Sequence, residues 1–251
     1  MSKKVEENID NFFNAIKNIK ENTDKINPTI LRYPIYFILL DVLSKYAFPN
    51  EEEVGKCFIN FIDIYSNWEY KNYVSILLLN DLLVKEKNKE CFTENEEYKD
   101  LEKKVNETRN KWGQEREHKV LNPKEADLTI EELENFREKR YWKLIKICRY
   151  PSIIYHVRNH MIHNLRFPKP KDPLDTTNIE EPYYYILDNS YELCIPDKIV
   201  PMFVEKCSKN LKEKVMQEIN KYDPEKIFKI MPDWFHKLPV ESKRINSFQL
   251  S

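Results

Sequence analysis

Arg158, Asn159 and His163 fall close together in the line YHVRNHMIHNLRF, with His160 between them. An arginine stays charged at every physiological pH, whereas an imidazole titrates near neutrality, at about 6.5 when unperturbed. A fixed cation beside a group that can take or give a proton is what metal-independent cleavage of a phosphodiester requires. No acid stands in this line to neutralise the cation.

These residues need one element to hold them, and Pro151 marks its start, since proline is suited to the first turn of a helix. At ~100° per residue, Ile153, Ile154, Val157, Met161 and Leu165 gather on one side as a buried stripe. His156, Asn159, His160 and His163 gather on the other. Asn159 and His163 are stacked one turn apart. Arg158 lies ~140° from His163, at the edge of the apolar stripe. One helix therefore does not bring both groups to a single atom, which points to a second copy of the helix supplying the missing partner. The spacing of His156, His160 and His163 also makes a metal site conceivable. No HExxH and no neighbouring acid accompany them, so no metal is assigned.

The chain as a whole carries a net charge of −1, unevenly placed. Between Arg137 and Lys171 stand ten basic residues against the single acid Glu138, so the remainder is correspondingly acidic. Tyr141, Trp142, Tyr150, Tyr155 and Phe167 are interleaved with these cations. Basic groups track phosphates and aromatic faces accept unstacked bases. Lys146, Arg149, Tyr155, His156, His160, Arg166 and Lys169 are accordingly the candidate RNA contacts. A solvated basic helix face is the alternative for such a patch.

Apolar periodicity predicts about seven helices. Val5 to Lys20 carries Ile9, Phe12, Phe13, Ile16 and Ile19 at helical spacing. After Pro28 comes the apolar run ILRYPIYFILLDVLSKYAF, expected at the centre of a bundle and kinked or restarted at Pro34. Glu51 to Tyr65 presents Val54, Phe58, Phe61, Ile62 and Tyr65 on one face. Residues 73–84 form another apolar segment. Residues 94–128 read as a charged, exposed insertion; within it 94–118, with a thin stripe at Tyr98, Leu101 and Val105, read as an exposed, solvated helix, with a mobile insertion as the alternative. Residues 129–149 open close to a capping box and run as a basic helix. After the proline-rich loop FPKPKDP, residues 183–187 and 191–195 flank Asp188-Asn189-Ser190 as a hairpin. A last helix covers about 197–221. The expected architecture is an all-α bundle with a small hairpin: one domain over 1–222 and a short extension over 223–251.

Composition agrees and excludes other classes. Among 251 residues only Gly55 and Gly113 are glycines, against ordinary usage of ~7%. Sheet-rich folds spend glycine on turns, and neither a Walker loop nor a dinucleotide fingerprint can be built from two. No apolar run reaches the ~20 residues of a membrane span, and no signal peptide opens the chain, which predicts a cytoplasmic protein. Cys57, Cys91, Cys148, Cys194 and Cys207 lack CxxC spacing and read as reduced core fillers. Trp68 and Trp234 read as packing anchors.

Arg158-Asn159-x-x-x-His163 matches the R-(polar)-x3-H form of the R-x4-6-H motif, and with it the chain resembles the HEPN superfamily. The apolar 30–48 helix, the FINFIDIYSNW helix, the late motif helix, the hairpin EPYYYIL–YELCIP and a closing helix follow the order of a group of bacterial HEPN proteins. The resemblance spans about residues 28–220 and does not account for 94–128. It implies a metal-independent endoribonuclease without cofactor, acting as a homodimer through its motif helices. His163 would be the general base or acid at the 2′-OH, Arg158 would stabilise the phosphorane, and Asn159 would orient phosphate or histidine. The products would be a 2′,3′-cyclic phosphate and a 5′-OH, and DNA would survive. A defence or toxin role, with an antitoxin or regulatory partner, also follows from the resemblance. A catalytically silent module that binds RNA, a nucleotide or a protein is the rival reading.

Overall fold

The computed structural model describes residues 2–28, 31–87, 96–112, 121–137, 141–164, 181–187, 190–196 and 198–221. The fold is all-α with two small antiparallel strand pairs, and nine α-helices occur among these residues. No helix among them is long and apolar enough to cross a membrane. The turn of the hairpin, the FPKPKDP loop, Arg166, Lys169, Cys91, Trp234 and the 223–251 extension lie outside the described residues.

The first core is built from helices whose apolar residues recur every three or four positions. Helix α1 (Ser2–Thr23) buries Val5, Ile9, Phe12, Phe13 and Ile16, while Ile19, expected on the same stripe, stays exposed. Helix α2 (Arg32–Ala47) starts later than the sequence suggested, so Pro34 falls in its first turn, where no backbone donor is needed. It contacts α1, helix α3 (Val54–Tyr65) and two later helices, the central position its composition predicted. A helix that is apolar nearly all round is expected to be covered. Here Ile38 and Val42 remain exposed beside buried Leu39, Leu40 and Leu43. Helix α3 buries Phe58, Phe61, Ile62 and Tyr65, while Val54 at its start is exposed.

A sharp turn follows α3. Asn67 adopts φ 49°, and the Ser66 hydroxyl accepts the Trp68 N–H at 3.0 Å. Asparagine tolerates this left-handed conformation better than most residues. The turn drives Trp68 into the first core, edge-on to Phe203 with ring centroids 4.9 Å apart.

Strand β1 (Tyr73–Val74) pairs antiparallel with β2 (Leu128–Thr129), so the segment expected to be helical from residue 73 becomes helix only at α4 (Ile76–Lys87). Helix α5 (Glu96–Trp112) is not simply an exposed attachment. Its charge lies outward, but Tyr98, Leu101, Val105, Thr108 and Trp112 are buried. With Leu79 and Leu83 of α4 they make a second core, joined by the short helices α6 (Pro123–Ala126) and α7 (Trp142–Ile147). The Trp112 indole donates to the Ala126 carbonyl at 2.9 Å.

The basic helix expected over 129–149 is broken. Thr129 and Glu132 do form the reciprocal box: the Thr129 N–H donates to Glu132 Oε2 at 2.8 Å and the Glu132 N–H to Thr129 Oγ1 at 3.3 Å. What they cap is a turn and a 3-10 segment, Glu134–Phe136, because Leu133 and Phe136 must reach the second core. Helix α8 (Tyr150–Asn164) carries the motif. The hairpin β3 (Tyr183–Leu187) and β4 (Ser190–Cys194) pairs Tyr183 with Cys194 and Leu187 with Ser190, and helix α9 (Ile199–Lys221) closes the first core. Cys57, Cys148 and Cys207 are free and buried, and Cys194 is half-buried.

Candidate functional site

Helix α8 is seated by its apolar side. Ile153, Ile154 and Met161 are buried and Val157 is packed against the first core, as the periodicity predicted; Leu165 lies outside the described residues. Helices α2 and α3 receive this side. Gly55 of α3 lets the contact close: a Cβ there would stand 3.0 Å from the Tyr155 ring. The ring also lies against Phe58, with centroids 5.7 Å apart. Tyr155 is thus half-buried at a helix contact, rather than an open stacking platform.

The opposite side carries His156 and His160, both exposed. Partial desolvation of its ring against the helix, then the charge of the neighbouring His160, lowers the pKa of His156. His163 belongs to the last turn of α8, but its side chain lies outside the described residues. Among the described residues no group of three or more His, Cys, Asp or Glu gathers in a metal-binding arrangement.

Arg158 does not project alone into solvent. Its Nε and Nη2 donate to Asp41 Oδ2 of α2 at 3.1 and 2.5 Å. Its Nη1 donates to Asn159 Oδ1 at 2.8 Å, and the guanidinium carbon lies 5.8 Å from the Tyr155 ring centroid. The structure therefore brings Arg158 and Asn159 together and adds an acid that the motif line itself lacks. Burial pushes the Asp41 carboxyl up, and the hydrogen bonds and charge of Arg158 pull it back. Asp41 Oδ1 is buried and accepts no hydrogen bond among the described residues.

A second arginine is spent in the same way. Arg149 Nη2 donates to Asp63 Oδ1 of α3 at 2.8 Å and to the Lys71 carbonyl at 3.0 Å. This pair ties the end of α7 to α3, with side chains only 18% and 22% exposed. The geometry places Arg149 in the scaffold, where a phosphate would have to break a half-buried ion pair. Lys146 and Lys143 are exposed, and the Lys146 ammonium lies 5.9 Å from the Trp142 ring centroid. Among the described residues of the basic stretch, these lysines keep the exposure that contact with a phosphate would need.

Both acids left a trace in the sequence. Asp41 is the single acid in the apolar run Ile30–Phe48, and Asp63 the single acid in Val54–Tyr65. A lone carboxylate in such a helix needs a cation opposite it. A third acid left no such trace. Asp127 is buried, and its carboxylate accepts the Ile76 N–H at 2.9 Å, the Tyr150 hydroxyl at 2.7 Å and the Tyr184 hydroxyl at 2.8 Å. The Ser75 hydroxyl lies 2.8 Å from that of Tyr184 and completes the chain. Desolvation pushes Asp127 up to about 7, against the opposing effect of the Ile76 N–H and the two tyrosine hydroxyls. Its partners stand 51, 23 and 57 residues away, so no local spacing announces them.

Compared with protein-family models, with curated proteins and with solved structures, the chain finds no match.

Proposed function

We propose that the protein is a metal-independent, HEPN-like endoribonuclease that works as a homodimer in the cytoplasm. The observation that carries this reading is the hydrogen-bonded Arg158–Asn159 pair on a helix whose solvent side presents His156 and His160. His163 would take the 2′-OH proton, the 2′-oxygen would attack phosphorus, and the bond to the 5′-oxygen would break as that oxygen gains a proton. Arg158 would meet the negative charge that develops on the non-bridging oxygens. Helix geometry separates Arg158 from His163, which supports a site shared between two copies. Ile38 and Val42, exposed one turn apart on the helix that carries Asp41, supply apolar surface for that contact. The charged pair itself favours a second reading. Asp41 already neutralises Arg158, as expected of a catalytically silent module that only binds RNA, a nucleotide or a protein.

The test is incubation of wild type, Arg158→Ala and His163→Ala with RNA and matched single-stranded DNA in EDTA. Cleavage of RNA alone, by wild type alone, ending in cyclic phosphate, is expected. Mixing the two inactive variants should restore part of the activity, because a mixed dimer retains one intact composite site. RNA binding without cleavage would establish the silent module instead.

A further inference from the structure

We infer that Asp41 is a positioning residue for Arg158, holding the guanidinium at the angle a scissile phosphate needs; the inference rests on the ribonuclease reading. Asp41 Oδ2 takes the edge of the guanidinium formed by Nε and Nη2, at 3.1 and 2.5 Å. Asn159 Oδ1 holds Nη1 at 2.8 Å, and Tyr155 lies beside the guanidinium plane. Three groups on two helices therefore define the orientation of one side chain. Each Nη nitrogen carries a second hydrogen, and the edge shared by Nη1 and Nη2, like the one Asp41 takes, can match two phosphate oxygens. Asp41 engages the other edge. A free arginine must lose side-chain freedom when it meets a phosphate, whereas one clamped by Asp41 has already lost it.

The cost of the arrangement argues in the same direction. Asp41 Oδ1 is buried without a donor among the described residues, and an unmatched buried acceptor costs ~1–3 kcal/mol. Replacing both members of such a half-buried pair by apolar groups is often neutral or favourable, so the pair is weak as a stability device, although removing Asp41 alone would strand the Arg158 charge. What Asp41 adds is direction for Arg158.

Asp41→Asn separates this role from two others. It keeps the size of the side chain but removes the charge that draws Nε and Nη2 to one oxygen. The kcat for RNA cleavage should fall roughly 10²-fold, the loss caused by a misplacement of ~1 Å, with KM unchanged or lower. Asp41→Glu, which restores a carboxylate, should recover part of kcat. By nitrogen-15 NMR the Arg158 Nε–H of the wild type should resonate apart from solvated arginines, and Asp41→Asn should move it among them. An unchanged kcat in folded Asp41→Asn overturns the inference. A raised kcat overturns it too, because Asp41 would then mask Arg158. If Asp41→Asn does not fold, a wild-type Nε–H indistinguishable from that of a solvated arginine overturns it. A wild type that cleaves no RNA overturns the ribonuclease reading itself, while the resonance still reports whether Asp41 holds Arg158.

Discussion

Arg149 and Asp63 illustrate how a residue that looks fit for RNA can be committed to the fold. Burying one charge without its partner is expensive, so each of the pair depends on the other. Arg149→Ala should lower stability by ~2–3 kcal/mol, less than for a fully buried pair because both groups keep some solvent contact. Adding Asp63→Asn should return part of that loss in urea melts. RNA affinity of the folded Arg149→Ala protein should match wild type; a weakened affinity at unchanged stability would put Arg149 back on the binding surface. Arg158 shows the same chemistry with another outcome, since its acid leaves one edge of the guanidinium to other partners. At this scale the basic stretch and the motif were readable in the chain, as was the buried stripe of Ile153, Ile154 and Met161. The destinations of the two arginines were not, because Asp41 and Asp63 lie 117 and 86 residues away from them.

Helices and strands meet at Asp127. Its carboxylate serves the first N–H of α4, the hydroxyl of Tyr150 at the head of α8 and the hydroxyl of Tyr184 in β3. A carboxylate at a helix N-terminus also meets the positive end of the helix dipole. Burial nonetheless raises its pKa to about 7 from an ordinary carboxylate value. Between those values the folded protein holds a proton that the unfolded chain has released. Stability should therefore fall as pH rises from about 4 to about 7 and level off above that. Urea midpoints across this range should show the slope in wild type and lose it in Asp127→Asn; parallel curves for the two would refute the assignment. The long amphipathic helices were legible because each buries a stripe of its own, and the hairpin because its two apolar runs flank a short polar turn. The helix expected over 129–149 failed for the opposite reason. Its capping box is real, but Leu133 and Phe136 are claimed by a core that also draws on residues far along the chain, from Val74 to Trp112 and Tyr184. The charged segment 94–128 misled similarly: five buried positions among many charges are enough to seat α5.

At the scale of the molecule, the described residues sort into two cores with few shared members. The first lies among α1, α2, α3, α8 and α9, the second among α4, α5, α7 and the residues around β2 and β3. Leu193 of the hairpin touches both. Tyr150 belongs to the first and Tyr184 to the second, so Asp127 bonds across the boundary. Trp68 is sealed in one core and Trp112 in the other, which gives each its own fluorescent reporter. With Trp142 and Trp234 replaced by phenylalanine, single-tryptophan versions should red-shift at one common denaturant concentration, because the shared carboxylate makes the cores yield together. Two separated midpoints would instead mark two cooperative units. The light emitted by two indoles thus measures whether the half of the molecule that carries the motif can melt while the other half stays folded.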